Sequence, residues 1–416
     1  NVGFEVQRLH GMGESLHELL SSQYGVLSRI YAPVGSHKDL LAYLMRRLLE
    51  NGANSSFINH LFDQNIKPEH LACDILSQVE QDKEPSHLSI PLPKDIYQTI
   101  RQNSSSILLS EQDEVDRLYQ KQQPWLEHKW QAKSIISADY VDDEIRRKVI
   151  NPADFSDQVG DVIYATEMQL DECLKSAQEA FKDKSNNQRL MLQSLERAAD
   201  LYESNQAELM SLAMREAGKT YQDAIDEVRE AVDFLRYYAN LAQKVIPNKR
   251  EALGIFVCIS PWNFPLAIFT GQVAAALSAG NVVIAKPAES TSLIAYRATQ
   301  LLLEAGVPLG ILQLALGEGS DVGSYLASHP SIAGVAFTGS TRVAKLIKHN
   351  LVMNGNAKAR VIAETGGLNA MVVDSTALSE QVTRDVLDSA FKSAGQRCSA
   401  LRILLIQDEC FDETIS

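Results

Sequence analysis

Between Glu251 and Asn350 the chain alternates short, wholly apolar runs with longer helical ones, and this alternation constrains the fold more than any other feature. Ile255-Phe256-Val257-Cys258-Ile259, Asn281-Val282-Val283-Ile284-Ala285, Ile311-Leu312-Gln313-Leu314-Ala315 and Gly334-Val335-Ala336-Phe337 read as strands of the buried type. Leu266 to Ser278, Ser292 to Ala305, Val322 to Ser328 and Val343 to Asn350 read as the helices between them. Strand and helix in regular succession are the pattern of an open parallel sheet covered by helices. Ligands of such sheets sit beyond the carboxyl ends of the strands, so the residues that follow each strand are the ones to read for chemistry.

The rest of the chain divides by its punctuation. Residues 1–77 read as strand, helix, strand, helix: a strand near Val2 to Leu9, a break at His10 to Gly13, a helix through Leu20, a short strand at Arg29 to Gly35 and a helix at His37 to Glu50. Leu40, Leu41, Leu44, Leu48 and Leu49 give that last helix its three-and-four periodicity. Two β/α units are too few for a stable domain. Residues 78–138, charged, serine-rich and broken by Pro85, Pro91 and Pro93, read as a linker and helical connector. From Gln169 to about Lys244 the pattern is helical, and Glu216, Asp223, Asp226, Glu227, Glu230 and Asp233 read for the most part as a solvated acidic face.

Composition narrows the function classes. A net charge of −14 argues against a nucleic-acid backbone or an anionic membrane surface as the main partner of this stretch. No apolar run approaches the ~20 residues of a spanning helix. The cysteines are five and widely spaced, with no Cys-x-x-Cys pair, which disfavours a disulfide framework or a zinc site and favours a reducing compartment. The chain opens on Asn1 rather than Met.

The strand ends carry the polar residues. The first strand runs into Ser260-Pro261-Trp262-Asn263-Phe264-Pro265, where a side-chain amide in a proline-fixed loop either stabilises an oxyanion or bonds its own turn. The second runs into Lys286-Pro287-Ala288-Glu289, with a lysine placed to hold a ribose hydroxyl or a phosphate. The fourth ends in Thr338-Gly339-Ser340, which suits a phosphate at a helix N-terminus or an ordinary serine cap. Gly317-Glu318-Gly319-Ser320-Asp321-Val322-Gly323 fails as a dinucleotide fingerprint because its third glycine comes one residue late. Further on, Glu364 ends a strand before Gly366-Gly367, and Cys398 follows Gly395-Gln396-Arg397. A thiol and a carboxylate are the minimum for covalent catalysis, nucleophile and general base, although a single cysteine is more often a small buried apolar residue. Arg397 offers positive charge beside that thiol.

Pro261-Trp262-Asn263-Phe264-Pro265, Lys286-Pro287-Ala288-Glu289, Phe337-Thr338-Gly339-Ser340, Glu364-Thr365-Gly366-Gly367 and Gly395-Gln396-Arg397-Cys398, in this order and at these separations, resemble the aldehyde dehydrogenase superfamily over residues 140 to 416. Leu368 departs from the pattern, which would have Gln there. The resemblance implies an NAD-binding domain over 139–365 and the start of a catalytic domain over 366–416. It implies Cys398 as nucleophile, Glu364 as the base that activates water, and Asn263 with the Cys398 backbone N–H as oxyanion donors. For NAD it implies Ile259, Ser260, Pro261, Trp262, Lys286, Ala288, Glu289, Gly319, Gly323, Phe337, Thr338, Gly339 and Ser340. Lys286 and Glu289 would meet the adenosine ribose, where an acidic Glu289 favours NAD over NADP.

On the helix at His37 to Glu50, Tyr43, Arg46, Arg47 and Glu50 share one face at i, i+3, i+4 and i+7. Adjacent arginines can clamp a small carboxylate, or they can belong to an ordinary solvated face with a salt bridge. With Gln7 to Gly13 and Arg29 to Gly35, the stretch Tyr43 to Asn54 resembles the last part of a proline dehydrogenase (βα)8 barrel. That resemblance implies Arg46 and Arg47 on the proline carboxylate, Tyr31 and Tyr43 lining the ring pocket, Glu50 orienting an arginine, and FAD at the barrel's carboxyl end. A proline dehydrogenase end followed by an aldehyde dehydrogenase is similar to one family, the bifunctional bacterial proline-catabolic enzymes called proline utilization A.

The expected fold class is therefore α/β: the C-terminal units of a truncated barrel, then an incomplete aldehyde dehydrogenase fold with a Rossmann-like NAD-binding domain. The expected function is oxidation of proline to pyrroline-5-carboxylate with FAD, then of glutamate semialdehyde to glutamate with NAD. The chain is expected to be an internal fragment, inactive alone, of a cytoplasmic bacterial oxidoreductase. In the parent the resemblance implies a homo-oligomer and peripheral contact with the inner membrane and its quinones. No nucleic acid binding is expected of this segment. The alternatives are an NAD-dependent aldehyde dehydrogenase of other specificity and a catalytically dead binding module. The first is disfavoured by Tyr31 and the Tyr43-to-Glu50 set, the second by the intact Cys398, Glu364 and Asn263.

Overall fold

In the computed structural model the described residues are 3–52, 67, 76, 79–80, 90–137, 145–183, 188–245 and 251–416. The chain forms two compact units, Asn1–Ile90 and Pro91–Ser416.

In the first unit, β1 (Glu5–Leu9), α1 (Glu14–Tyr24), β2 (Leu27–Tyr31) and α2 (His37–Gly52) follow in order, and the two strands pair in parallel from Glu5↔Leu27 to Leu9↔Tyr31. Gly25, in the left-handed region at φ 67°, ends α1, and its N–H and that of Val26 turn back to Ser21 and Leu20. Arg29 clasps the Glu5 carboxylate with two bonds of 2.8 Å, and with Gln7 holds that carboxyl down to about 2. Leu27, Ile30, Leu48 and Leu49 remain exposed, as expected where two β/α units alone cannot cover their apolar faces.

The second unit begins with α3 (Gln112–Gln122) and β3 (Trp130–Lys133), continues with the hairpin β4 (Ile145–Asn151) and β5 (Asp154–Tyr164), and then runs through four helices: α4 (Glu167–Lys182), α5 (Gln188–Ser204), α6 (Gln206–Ala217) and α7 (Tyr221–Val245). Strand β5 pairs parallel with β3 and antiparallel with β4. The described part of the stretch read as linker and connector packs onto these helices. Arg101 and Ser104 both bond Asp233 on α7, and the Trp130 indole N–H donates to Glu208 on α6.

The alternating region forms a five-stranded, all-parallel sheet. It contains β6 (Ile255–Ile259), α8 (Ala267–Ser278), β7 (Val282–Lys286), α9 (Ser292–Glu304), β8 (Leu312–Leu314), a short α10 (Ser324–Ala327), β9 (Ile332–Gly339), α11 (Thr341–Met353) and β10 (Arg360–Thr365). The strand order is β10-β9-β6-β7-β8. Every residue of β6, β7 and β8 is buried, which is why they read as continuous apolar runs rather than alternating ones. Helix α8 is buried nearly all round and shows no polar face. The chain moves outward from β6 to β7 to β8, then returns to the other side of β6 for β9 and β10. Strand order therefore reverses between β6 and β9, the switch point at which such sheets open a crevice. Beyond the sheet come β11 (Asn369–Val373), α12 (Ser379–Phe391), β12 (Leu401–Ile406) and α13 (Asp408–Ile415), with β11 parallel to β12.

The acidic stretch of α6 and α7 corrects the sequence reading. Glu216, Asp223 and Glu227 are buried, Asp226 and Asp233 are half-buried, and Glu230 is exposed. The carboxylates are drawn inward by donors remote in sequence. Glu216 accepts from Leu293 N (2.7 Å) and Ile294 N (2.9 Å) at the start of α9, and Glu227 accepts from Leu266 N (3.1 Å) and Ala267 N (3.0 Å) at the start of α8. Each satisfies orphan N–H groups at a buried helix N-terminus. Burial raises both carboxyls, Glu216 to about 8 and Glu227 to about 7, against the pull of those N–H groups toward the charged form.

Candidate active site

Parallel register places the strand ends in one row. Ile259 on β6 stands beside Lys286 on β7 and beside Phe337 on β9, and Glu364 on β10 stands beside Thr338. The sequence motifs after β6, β7, β9 and β10 thus converge on the carboxyl edge of the sheet, around its switch point.

Cys398 reaches this edge by an unusual turn. After α12, Ser393, Ala394 and Gly395 all adopt left-handed conformations, with φ of 55°, 54° and 68°. Glycine accepts this freely, whereas the other two carry strain that surrounding contacts must hold. Those contacts are present. Arg402 donates to Gly395 O (2.6 Å), Lys219 Nζ to Ser393 Oγ (3.2 Å), Arg397 to Asp223 (2.7 Å), and the Asn369 amide to Cys398 O (2.7 Å) and Ala400 O (3.0 Å). Arg397, read from sequence as charge beside the thiol, is paired with buried Asp223 and anchors the loop. Cys398 itself is exposed, while the other described cysteines, Cys173, Cys258 and Cys410, are buried. Burial pushes the Cys173 and Cys258 thiols up to about 12. Cys73 lies outside the described residues.

Cys398 and Glu364 line the same open cleft, of about 1080 Å³, with Phe234, Tyr238, Phe256 and Phe337 among its apolar walls. Gln272 and Thr338 contribute polar groups to it. Gln272 Nε2 donates to Thr338 Oγ1 (3.0 Å), and its Oε1 is buried without a partner among the described residues. Asn263 approaches from the loop after β6, and its Nδ2 donates to Gln396 O at 2.7 Å, two residues before Cys398. An amide NH2 carries two N–H bonds, so this one orients the group and leaves the second for another acceptor. The expected thiol, carboxylate and amide are therefore gathered on one part of the surface. Leu368 is 79% exposed, so its departure from the family pattern disturbs no core packing.

The residues expected at NAD form a cradle with specific openings. Ile259, Ser260 and Pro261 are buried and Trp262 is partly exposed above them. Ser260 Oγ is buried with no hydrogen-bond partner among the described residues, an orphan donor at the switch point. Lys286 is buried to 2% side-chain exposure; its Nζ donates to Pro287 O (2.9 Å) and faces Glu289 at 3.7 Å, with Ala288 between them in sequence. Burial lowers the Lys286 pKa and Glu289 opposes that fall. Gly319 and Gly323 bound a π-type turn rather than a dinucleotide fingerprint, as the spacing foretold, and a Cβ on Gly319 would meet nothing within 4 Å. Gly339 cannot carry a Cβ without meeting the Phe337 ring at 2.6 Å. Ser340 takes the ordinary cap role, its Oγ accepting from Val343 N (3.2 Å) at the start of α11. An orphan hydroxyl, an open glycine, a buried ammonium and a helix N-terminus at one sheet edge fit a dinucleotide.

In the first unit, Tyr43 and Arg47 meet on α2, the guanidinium 5.5 Å from the ring centroid. Arg46 lies exposed on the same helix and Tyr31 partly exposed at the end of β2. The Glu50 side chain lies outside the described residues.

The sequence reading gives no role to Lys219, takes Asp223 and Glu227 for part of a solvated face, and gives no role to Asn369. The signal for the first three was their spacing of four, which places them on one line along α7 and the residues before it, beside apolar Ala224, Ile225 and Val228. Asn369 carried no such signal.

Comparison with known proteins gives the family. The aldehyde dehydrogenase family model matches residues 140–416. The chain belongs to the aldehyde dehydrogenase family. The proline dehydrogenase model matches residues 1–60. The bifunctional protein PutA of Klebsiella aerogenes is 48% identical over 436 residues, covering 99% of this chain and 33% of that protein. The 1-pyrroline-5-carboxylate dehydrogenase of Geobacillus thermodenitrificans is 36% identical over 299 residues, covering 68% of this chain and 58% of that protein. A crystal structure of a mutant proline utilization A from Bradyrhizobium japonicum superposes with a TM-score of 0.81 at 42% identity, covering 100% of this chain and 41% of that one. The chain thus spans about a third of the length of the bifunctional relative. Among the described residues no helix is long and apolar enough to cross a membrane, and no group of three or more His, Cys, Asp or Glu side chains is arranged to hold a metal ion.

Proposed function

We propose that the second unit oxidises glutamate semialdehyde to glutamate with NAD, in a protein whose other half oxidises proline to pyrroline-5-carboxylate. The observation that carries this is the cleft shared by Cys398 and Glu364, with the Asn263 amide tied to the Cys398 loop. The Cys398 thiolate attacks the aldehyde carbon. The resulting alkoxide is held by the second Asn263 N–H and the backbone N–H of Cys398. The residues at the strand ends would hold NAD, which would supply the hydride acceptor. As the alkoxide re-forms its C=O bond, the C–H bond of the former aldehyde carbon breaks and its hydrogen departs as hydride, leaving the acyl group on Cys398 as a thioester. Glu364 then takes a proton from water, the hydroxide adds to the thioester, and glutamate leaves as the thiolate is restored.

Lys286 and Glu289 serve the adenosine ribose, where Glu289 selects against a 2′-phosphate. Ser340 and Gly339 would hold the pyrophosphate, and Ile259, Ser260, Pro261, Trp262, Ala288, Gly319, Gly323, Phe337 and Thr338 would complete the cradle. In the first unit, Arg46 and Arg47 clamp the proline carboxylate, Tyr31 and Tyr43 flank the ring, and Glu50 orients an arginine. FAD would belong to the barrel of the longer protein, to which this chain contributes two β/α units. Cytoplasmic placement, self-association and contact with the inner membrane belong to the same reading of the longer protein.

The reading is tested by steady-state NAD reduction in the protein that contains this chain. Turnover with glutamate semialdehyde should exceed that with uncharged aldehydes of similar length, and the reverse preference would overturn the substrate assignment. Arg46→Met should raise the proline KM about 10- to 100-fold, the loss of ~1.5–3 kcal/mol of charge-assisted bonding, and leave the aldehyde step unchanged. An unchanged proline KM would remove the clamp.

A further inference from the structure

Lys219 is a buried cation at the meeting point of the two loops that carry the site. It follows the left-handed cap Gly218 at the end of α6, and its side chain is 2% exposed. Its Nζ donates to Asn263 O at 2.5 Å and to Ser393 Oγ at 3.2 Å, faces Glu227 Oε1 at 3.8 Å, and lies 5.0 Å from the centroid of the Phe264 ring. An ammonium has three N–H bonds, so one group reaches the amide loop, the cysteine loop and a counter-charge together. The counter-charge is itself fixed, because the other oxygen of Glu227 holds the first N–H groups of α8 just after the amide loop. One turn away on the same helix face, Asp223 bonds Arg397, adjacent to Cys398, while Thr220 caps the helix and fixes Asp223.

We propose that Lys219 is a positioning residue for thioester chemistry: its ammonium straps the Asn263 loop to the strained Ser393–Gly395 turn and so fixes the distance of the oxyanion amide from the Cys398 thiol. Asp223, through Arg397, is the second strap. The proposal rests on the reading of Cys398 and Asn263 given above. A lysine used only for folding would lower stability without acting through Asn263. A strap acts through Asn263, so its loss should matter only while that amide is present.

The test is a double-mutant cycle in the protein that contains this chain, with kcat for aldehyde oxidation and the NAD KM as readouts. Lys219→Met should lower kcat about 30-fold, against roughly 10²–10³-fold for Asn263→Ala, the usual loss of one oxyanion donor. The NAD KM should stay within about two-fold, because the strand-end cradle is untouched. In an Asn263→Ala background, Lys219→Met should cost less than about three-fold. Equal losses in both backgrounds, or no loss in either, would overturn the proposal. If Lys219→Met leaves Glu227 as an uncompensated buried charge and the protein does not accumulate, Lys219→Met/Glu227→Gln removes both charges and is judged by the same criteria. Cys398→Ala measured alongside separates the two failures. An inactive Cys398→Ala with a fully active Lys219→Met overturns the strap alone, and an active Cys398→Ala overturns the site reading and the strap with it.

Discussion

Replacing Cys398 by Ala should lower NAD-dependent aldehyde oxidation by roughly four orders of magnitude or more, the loss typical of removing a covalent nucleophile. The expectation follows from where the thiols lie. Cys398 is exposed on the cleft, whereas Cys173, Cys258 and Cys410 are buried. Two of them, Cys173 and Cys258, are pushed up to about 12. A buried thiol with so high a pKa is neither ionised nor accessible near neutral pH, so neither can replace the missing group. Because Cys398 contributes little to the core, the substitution should leave the melting temperature within a few degrees of the parent. Loss of activity with an unchanged melt would assign the defect to chemistry. Retained turnover would show that the carbonyl is attacked by something other than this sulfur.

Glu364→Gln should separate the two halves of the reaction. Glu364 is the penultimate residue of edge strand β10, exposed on the cleft and in register with Thr338. Its carboxylate is exposed and lines the cleft that also holds Cys398, where water can reach it. A glutamine of similar shape cannot accept a proton from that water. Rapid-mixing measurements should therefore show a first equivalent of reduced nicotinamide per site, followed by turnover slowed about 10²- to 10⁴-fold, the usual contribution of a general base. A variant that loses the first equivalent as well would place Glu364 before the thioester rather than after it.

Much of this arrangement is legible in the sequence, for a physical reason. Strands β6, β7 and β9 are buried in a parallel sheet, so their apolar runs are unbroken, and the residues that end them occupy the one edge where such a sheet binds ligands. Ile259, Lys286, Phe337 and Glu364 could thus be read together before their register was known. What the sequence conceals is long-range satisfaction of charge. Glu216 and Glu227 look like members of a solvated acidic face, because the N–H groups that draw them inward belong to Leu293 and Leu266. Lys219 looks like a surface lysine after a helix-ending glycine, because its acceptors are Asn263 and Ser393. Residues 78–138 read as linker and connector because the anchors of their described part, Asp233 and Glu208, lie on helices far along the chain. Local pattern reveals which face is apolar, but not which charge a remote helix end will claim.

The central claim is that Cys398 carries the acyl group. Mass spectrometry of Glu364→Gln protein, quenched in acid after mixing with glutamate semialdehyde and NAD, tests it most directly. A glutamyl thioester mass is expected on the peptide containing Cys398, absent when NAD is omitted and absent from Cys398→Ala. An adduct on another cysteine, or an active protein that never forms one, would contradict it.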